Sequence, residues 1–361
     1  MLNEVKHPRG GDASLHLDKL RRDSAQHWGS LQHFSFNCRL TSRIIHQLTN
    51  KYYKEASMNR ATRSIALFLF VLAISFAAAT GAEKTFEKKF TVTSAGTFSI
   101  KTDFGSVNIV GTDAKEVSIS ALMKGRQRDI DEFDITANQT GDGVEVYGKS
   151  RRSRKWWSWS SNDMDVWFTI KVPKDYNLRM ETSGGDISVG SVKGKVNGGT
   201  SGGDITLTDI AGAIDLETSG GNIRVEKIQG TLHMETSGGD IKISEVKGDV
   251  DVNTSGGNIT LNTIEGKVRA ETSGGNITMK VKESNKGIYA ETSGGNIDIM
   301  LPKTISANLN ASTSGGEVTC DLPITMSGKF DESEMRGTIN GGGNPIHAHT
   351  SGGDIRIRGM E

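Results

Sequence analysis

Proline and cysteine are almost missing from this 361-residue chain: there are five prolines and two cysteines, and aromatic residues make up 6%. No proline falls between Pro173 and Pro302. Proline removes a ladder donor and is confined to strand edges, so that stretch is open to uninterrupted strand pairing. Cys38 and Cys320 are too few for a disulfide framework. Cys320 alone survives if the chain is cut after an export signal, at an inward position equivalent to Ile297. An excess of charge is lacking too. The 43 basic and 43 acidic residues cancel, and without a basic field nucleic acid is not an expected partner. Histidine is scarce after residue 83, where only His233, His347 and His349 occur. A long apolar run is also missing: Ile65–Ala79 falls short of the ~20 residues a membrane span needs.

What is abundant is glycine, with 44 residues, and much of it is periodic. Thr-Ser-Gly-Gly begins at Thr182, Thr200, Thr218, Thr236, Thr254, Thr272, Thr292, Thr313 and Thr350. The first six copies are 18 residues apart; the later gaps are 20, 21 and 37. A short fixed period marks a solenoid, each repeat one coil stacked on the next. Within Gly202–Ser219 the apolar residues are Ile205, Leu207, Ile210, Ile214 and Leu216. Their period-two spacing predicts two short strands per coil, each with one buried face. The fold class expected is therefore all-β: a parallel β-solenoid of 18-residue coils with an irregular N-terminal β cap. Right-handed winding is favoured by crossover chirality.

The turns follow from the same phrase. Gly184-Gly185-Asp186, Gly202-Gly203-Asp204, Gly220-Gly221-Asn222 and Gly238-Gly239-Asp240 form one row of corners. Gly194, Gly212, Gly230, Gly248 and Gly266 form the other. Glycine at both is expected to supply positive φ, and the Asx side chains to bond nearby backbone amides. The repeated threonines share the inward parity and predict an internal ladder.

Four segments are expected. Met58–Ala82 reads as a signal peptide, with Arg60 and Arg63 before the apolar run and small residues after it. Residues 1–57 then read as a mis-called start or a disordered extension. Residues 83–180 read as irregular coils and a cap, continuous with the regular solenoid of 181–361. Within the cap, Thr102-Asp-Phe-Gly105 echoes the Thr-Ser-Gly-Gly phrase. The segment from Ser150 to Asp163 gathers Arg151, Arg152, Arg154, Lys155, Trp156, Trp157 and Trp159. As a protruding loop it suits an anionic membrane surface or a glycan; folded down, it is a cap over the coils.

The TSGGDI and TSGGNI phrases, the Val172-Pro173-Lys174 lead-in and the closing Asn340–Gly343 resemble the bacterial "putative adhesin" β-strand-repeat family, over residues 95 to 358. The resemblance implies a β-solenoid and an envelope location, and some members are tied to envelope-stress responses. It carries no catalytic residues. Glu217, Glu235, Glu271 and Glu291 recur with the repeat rather than breaking it, so no enzyme is expected. The calcium β-roll needs G-G-x-G-x-D in both halves of a coil; here Gly-Gly occupies one half and many Asx positions are Asn, so neither metal nor cofactor is expected. Thr206 and Thr208 hint at an ice-binding face, which Arg224, Glu226 and Lys242 interrupt. The reading is an exported surface-contact protein, periplasmic, cell-surface or secreted, binding a glycan, lipid or protein of the envelope. The alternative is a structural or envelope-stress scaffold that self-associates.

Overall fold

From Ile187 the chain advances by a fixed step. Strands Ile187–Lys193, Ile205–Ala211, Ile223–Gln229, Ile241–Lys247 and Ile259–Glu265 lie parallel in one sheet. Strands Val196–Thr200, Ile214–Thr218, Leu232–Thr236, Val250–Thr254 and Val268–Thr272 lie parallel in a second. The computed structural model describes residues 82–93, 95–151, 164–327 and 331–360. Every coil gives one strand to each sheet, and each residue pairs with its equivalent in the next coil: Ile205 with Ile223, Leu216 with Met234. The predicted inward columns, Ile187 through Ile277 and Val189 through Leu261, are buried, and both sheets contribute to one apolar core. Contacts group residues 81–361 as one compact unit.

Two side-chain ladders tie coil to coil. The Thr200 hydroxyl donates to the Gly185 carbonyl at 2.9 Å and accepts from the Gly203 amide at 3.3 Å. The pattern repeats at Thr218, Thr236, Thr254 and Thr272. Each hydroxyl is buried, and each is satisfied at the place where the corner would otherwise leave backbone groups unpaired. Beside it, Oδ1 of Asp186 accepts from the Asp204 amide at 2.9 Å, and Oδ1 of Asp204 from the Asn222 amide at 2.7 Å. The bond to the backbone amide needs only an acceptor oxygen, which Asp and Asn both supply, and Asn222 and Asn258 also donate Nδ2 to Oδ1 of Asp204 and Asp240 at 3.3 and 3.2 Å.

The glycine corners differ from expectation. The mid-coil glycines do have positive φ, as at Gly212 (φ 150). At the Gly-Gly corner only Gly185 does; from Gly203 onward the need is space. A Cβ on Gly203 would lie 2.1 Å from the Gly185 carbonyl, whereas one on Gly202 would meet nothing within 4 Å. A second positive-φ row, not expected, lies at Ser191, Asp209, Lys227, Glu245 and Thr263, with φ of 57–60°. It forms a third bend. There the alternation slips by one, so that Leu207 and Ile210 both point inward.

Both ends depart from sequence order. Strands Thr97–Thr102 and Ser106–Thr112 make a coil inserted between Gly143–Ser150 with Met164–Pro173 on one side and Asn177–Thr182 with Ile187–Lys193 on the other. Thr102 pairs with Thr182, so the echo of the repeat phrase is a true rung. At the far end Asn344–Thr350 lies between Ile288–Thr292 and Ala307–Thr313, and Ile355–Met360 between Ile297–Pro302 and Val318–Cys320. Thr350 follows Thr292 in space, donating to the Gly295 carbonyl at 2.8 Å, and Thr313 follows Thr350. Antiparallel strands close the ends: Ala82–Thr91 on Glu116–Gly125, Phe133–Thr140 on Gly143–Ser150, and Glu334–Ile339 on Ala307–Thr313. A five-residue helix, Gln127–Asp131, buries Ile130 in the N-terminal cap. Cys320 pairs with Ile357, not with the row of Ile297, because its strand begins at Val318 opposite Ile355. On that three-residue edge strand it is half-buried rather than in the core.

Candidate functional site

The second sheet holds one break in the repeat. The strand Val196-Asn-Gly-Gly-Thr200 lies between Leu178-Arg-Met-Glu-Thr182 and Ile214-Asp-Leu-Glu-Thr218. Gly198 therefore replaces an inward Met or Leu, and Gly199 replaces an outward Glu. With φ of 131°, Gly198 lets its backbone close on Met180, whose carbonyl would be 1.8 Å from any Cβ there. With no side chain at Gly199, the outer face sinks into a depression of about 660 Å³ lined by Lys101, Asn197, Glu181, Asp215, Glu217 and Glu235. Hydroxyls of the repeat phrase, Ser183, Ser201, Ser219 and Ser237, line the same space. A second depression of about 390 Å³ shares Glu181, Asn197 and Gly198 and adds Arg179 and Lys195, so acid gives way to base along the groove.

Glu181 is the hinge of its electrostatics. Hydrogen bonds from Lys101 and Arg179 hold its carboxyl below the usual range, with Arg179 Nη2 at 3.2 Å. Tyr147, 46% exposed, stands opposite Lys101 on the next strand. The other exposed indole or phenol face of note is Trp167 on the first sheet, 40% exposed beside Leu122 and Ser106.

Of the residues singled out in sequence, the turn row from Gly184 to Asp240 is brought together as the ladder described above. Arg151 is engaged by Asp134: its Nη2 donates to Oδ1 at 2.6 Å, which raises the arginine and lowers the aspartate. Arg152, Arg154, Lys155, Trp156, Trp157 and Trp159 lie outside the described residues. Glu217, Glu235, Glu271 and Glu291 do stack outward, Glu271 and Glu291 already taken by Arg269 and Tyr289. His349 Nδ1 sits 3.0 Å from the Ser312 hydroxyl. Among the described residues no three His, Cys, Asp or Glu side chains converge to hold a metal. The groove itself was missed, although Val-Asn-Gly-Gly-Thr in place of an apolar-x-apolar-Glu-Thr strand was readable as a gap in the pattern.

The profile of the Toastrack DUF4097 family matches residues 96–358. The chain belongs to this family. The match begins at the inserted first coil and ends within the last strand, so the groove lies within it, while the closing strand Ala82–Thr91 precedes it. Among solved structures, the chain is similar to a "putative adhesin" from Bacteroides fragilis at 13% identity and TM-score 0.39, covering 77% of this chain and 98% of that one. It is similar to a "putative lipid binding protein" from Parabacteroides distasonis at 15% identity and TM-score 0.36, with coverages of 77% and 98%. A "putative cell adhesion protein" from Clostridium sporogenes matches at 14% identity and TM-score 0.23, with coverages of 77% and 100%. A search of curated proteins returns no match. Among the described residues no helix is long and apolar enough to cross a membrane.

Proposed function

We propose that this protein is an exported, non-enzymatic contact module of the cell envelope, and that the groove at Gly198–Gly199 is where it meets its ligand. The observation that carries this is the break itself. Two glycines stand where the neighbouring rungs carry an inward Met or Leu and an outward Glu, and the side chain missing at Gly199 opens the outer face at this one place. The groove is open, polar and rich in carboxylates and hydroxyls. That chemistry suits a ligand bearing hydroxyl or amino groups, such as a glycan or a polar protein segment, rather than an acyl chain. The charge gradient from Asp215 and Glu217 to Arg179 and Lys195 gives such a ligand an orientation.

The competing role, a scaffold that self-associates end to end, needs open strand edges. Here the C-terminal edge strands are three residues each, Val318–Cys320 and Ile324–Met326. At the other end Lys88 donates across the sheets to the Ala137 carbonyl and Gln139 to the Thr91 carbonyl at 3.0 Å. Short edges and inward-pointing lysines are the devices that block edge pairing. The test is a glycan, lipid and protein array probed with the full chain and with Asn197→Trp and Glu217→Lys. Binding reduced by both variants is expected. Binding unchanged in both would remove the groove from the function, and filaments forming without ligand would favour the scaffold. Mass spectrometry of the native N-terminus tests export.

A further inference from the structure

The outer face of the first sheet carries a separate surface that neither the repeat nor the groove explains. At its N-terminal end Ser120, Thr169, Asn108, Ser188 and Thr206 stand side by side in register on five adjacent strands. At ~4.8 Å per strand the row is roughly 19 Å long. None of the five is charged. Charge resumes at either end, at Glu87 beyond Ser120 and at Arg224 beyond Thr206. Along one flank Trp167 is 40% exposed, between Leu122 and Ser106. Along the other Val110 is 40% exposed, because its partner on the next coil is Gly190. The flanking row holds a single charge, Lys171, between Ser118 and Val110.

Nothing in the coil pattern calls for this. Farther along the same sheet the strip's row continues as Arg224, Lys242, Thr260, Thr278, Asp298 and Arg356. Charge returns there after at most two uncharged strands, whereas five consecutive strands are free of it beside the exposed indole.

We propose that this strip is a docking surface for an uncharged polysaccharide chain. A pyranose ring has apolar C–H faces and hydroxyls around its rim. The indole of Trp167 offers a flat apolar plate at low entropic cost. The hydroxyls and amide of the row offer donors and acceptors at a regular spacing, all on one side. Charge complementarity selects the occupant. An anionic membrane or polymer is drawn by clustered lysine and arginine, and the strip has Lys171 alone. A protein interface of stable size buries a core of apolar and aromatic side chains, and here there are Trp167, Val110 and half-covered Leu122. A neutral sugar polymer needs neither.

The test is native affinity gel electrophoresis of the full chain through dextran, laminarin, mannan and hydroxyethylcellulose, with phosphatidylglycerol vesicles in a parallel flotation assay. At least one neutral polymer is expected to retard the protein. Trp167→Ala should weaken that retardation at least about tenfold, with Trp167→Phe restoring part of it, and Asn108→Ala should weaken it about threefold. Thr169→Lys, an exposed change that leaves the core untouched, should also weaken it and keeps the test decisive if Trp167→Ala lowers stability. Lys242→Ala, exposed on the same sheet beyond the strip, should leave it unchanged, and Asn197→Trp is run beside it to read the groove of the other sheet. Retardation by none of the polymers overturns the proposal, as does binding to the anionic vesicles alone. Retardation lost in Asn197→Trp but kept in Trp167→Ala would assign the sugar to the groove and overturn the strip, while leaving the contact role standing.

Discussion

The middle of the solenoid and its two ends are built from the same phrase in opposite ways. Between Ile187 and Val281 every strand pairs with the next coil in sequence and in parallel, in register but for one shift between Asn262 and Ile264. At the ends the pairing jumps: Thr102 finds Thr182, and Thr350 finds Thr292. Three of the four outermost strands there run antiparallel to their neighbours, and Val318–Cys320 is the parallel one. Repetition solves the middle cheaply, since one set of corner bonds is copied coil after coil. It cannot solve an end, because a copied coil always presents another open edge. The ends are therefore where non-repeating sequence must appear.

Four experiments press on that contrast. The largest effect is expected in the middle core. Ile241→Asp places an unpaired charge at a fully buried site, and should cost about 4 kcal/mol or more in urea unfolding. Lys242→Ala, one residue on and exposed, should fall within about 0.5 kcal/mol. Equal tolerance at the two would show the register to be wrong.

Next comes the corner. A Cβ on Gly239 would lie 2.0 Å from the Gly221 carbonyl, while one on Gly238 would have its nearest atom at 3.8 Å. Gly239→Ala should cost about 2–3 kcal/mol, as overpacking does, and Gly238→Ala within about 0.5 kcal/mol. A similar loss for both would mean that the corner is held by backbone conformation rather than by close stacking.

A smaller effect is expected at the N-terminal end. Lys88→Ala frees the Ala137 carbonyl and should cost about 1 kcal/mol. Its sharper readout is association: sedimentation should show higher species if the bridged end is what keeps copies apart. An unchanged monomer would transfer that role to the edge charges alone.

The smallest effect concerns the groove. Lys101 and Arg179 hold the Glu181 carboxyl below its ordinary value. A depressed carboxylate contributes stability that is present above its unfolded pKa and is lost as pH falls through its folded one. In Lys101→Met the loss should be at most about 0.5 kcal/mol at pH 7, since the pair is exposed and screened. It should shrink as pH falls below the ordinary glutamate value and vanish once Glu181 is protonated in both states. A difference that persists in acid would mean that Lys101 acts through its packing.

Much of the middle was legible because one physical requirement maps onto one residue type. Period-two apolar residues announced the strands, and a buried acceptor beside a tight corner announced Thr and Asx. The close approach of stacked backbones announced the second glycine, though the expected reason, positive φ, belongs to the mid-coil glycine instead. The third bend was not legible. Ser191, Asp209, Lys227, Glu245 and Thr263 adopt the left-handed region with side chains that disfavour it, at about 1 kcal/mol each. Stacking on identical neighbours overrides their local preference, and composition does not record that. Nor was the order of coils legible at the ends, since Thr350 looks like the ninth step of a row whose eighth is Thr313. The groove left a mark, two glycines where Met or Leu and then Glu recur, but a missing side chain is harder to notice than a cluster of unusual ones.

The inserted end coils also bear on the order of events during synthesis. A chain that emerges N-terminus first can wind its middle coils as they appear, each closing on the one just made. The first coil cannot do so: Thr97–Thr112 must wait for residues up to Lys193 before both its sides are covered. The far end waits longer still. Ala307–Thr313 is made before the strand that joins it to the stack, and the gap between it and Ile288–Thr292 is filled by Asn344–Thr350. Until then the growing stack carries an unfilled slot, and a chain stopped short of Asn344 would keep it. Completion of this fold is thus timed by the strands Asn344–Thr350 and Ile355–Met360, which act as a latch that shuts only once both have been made.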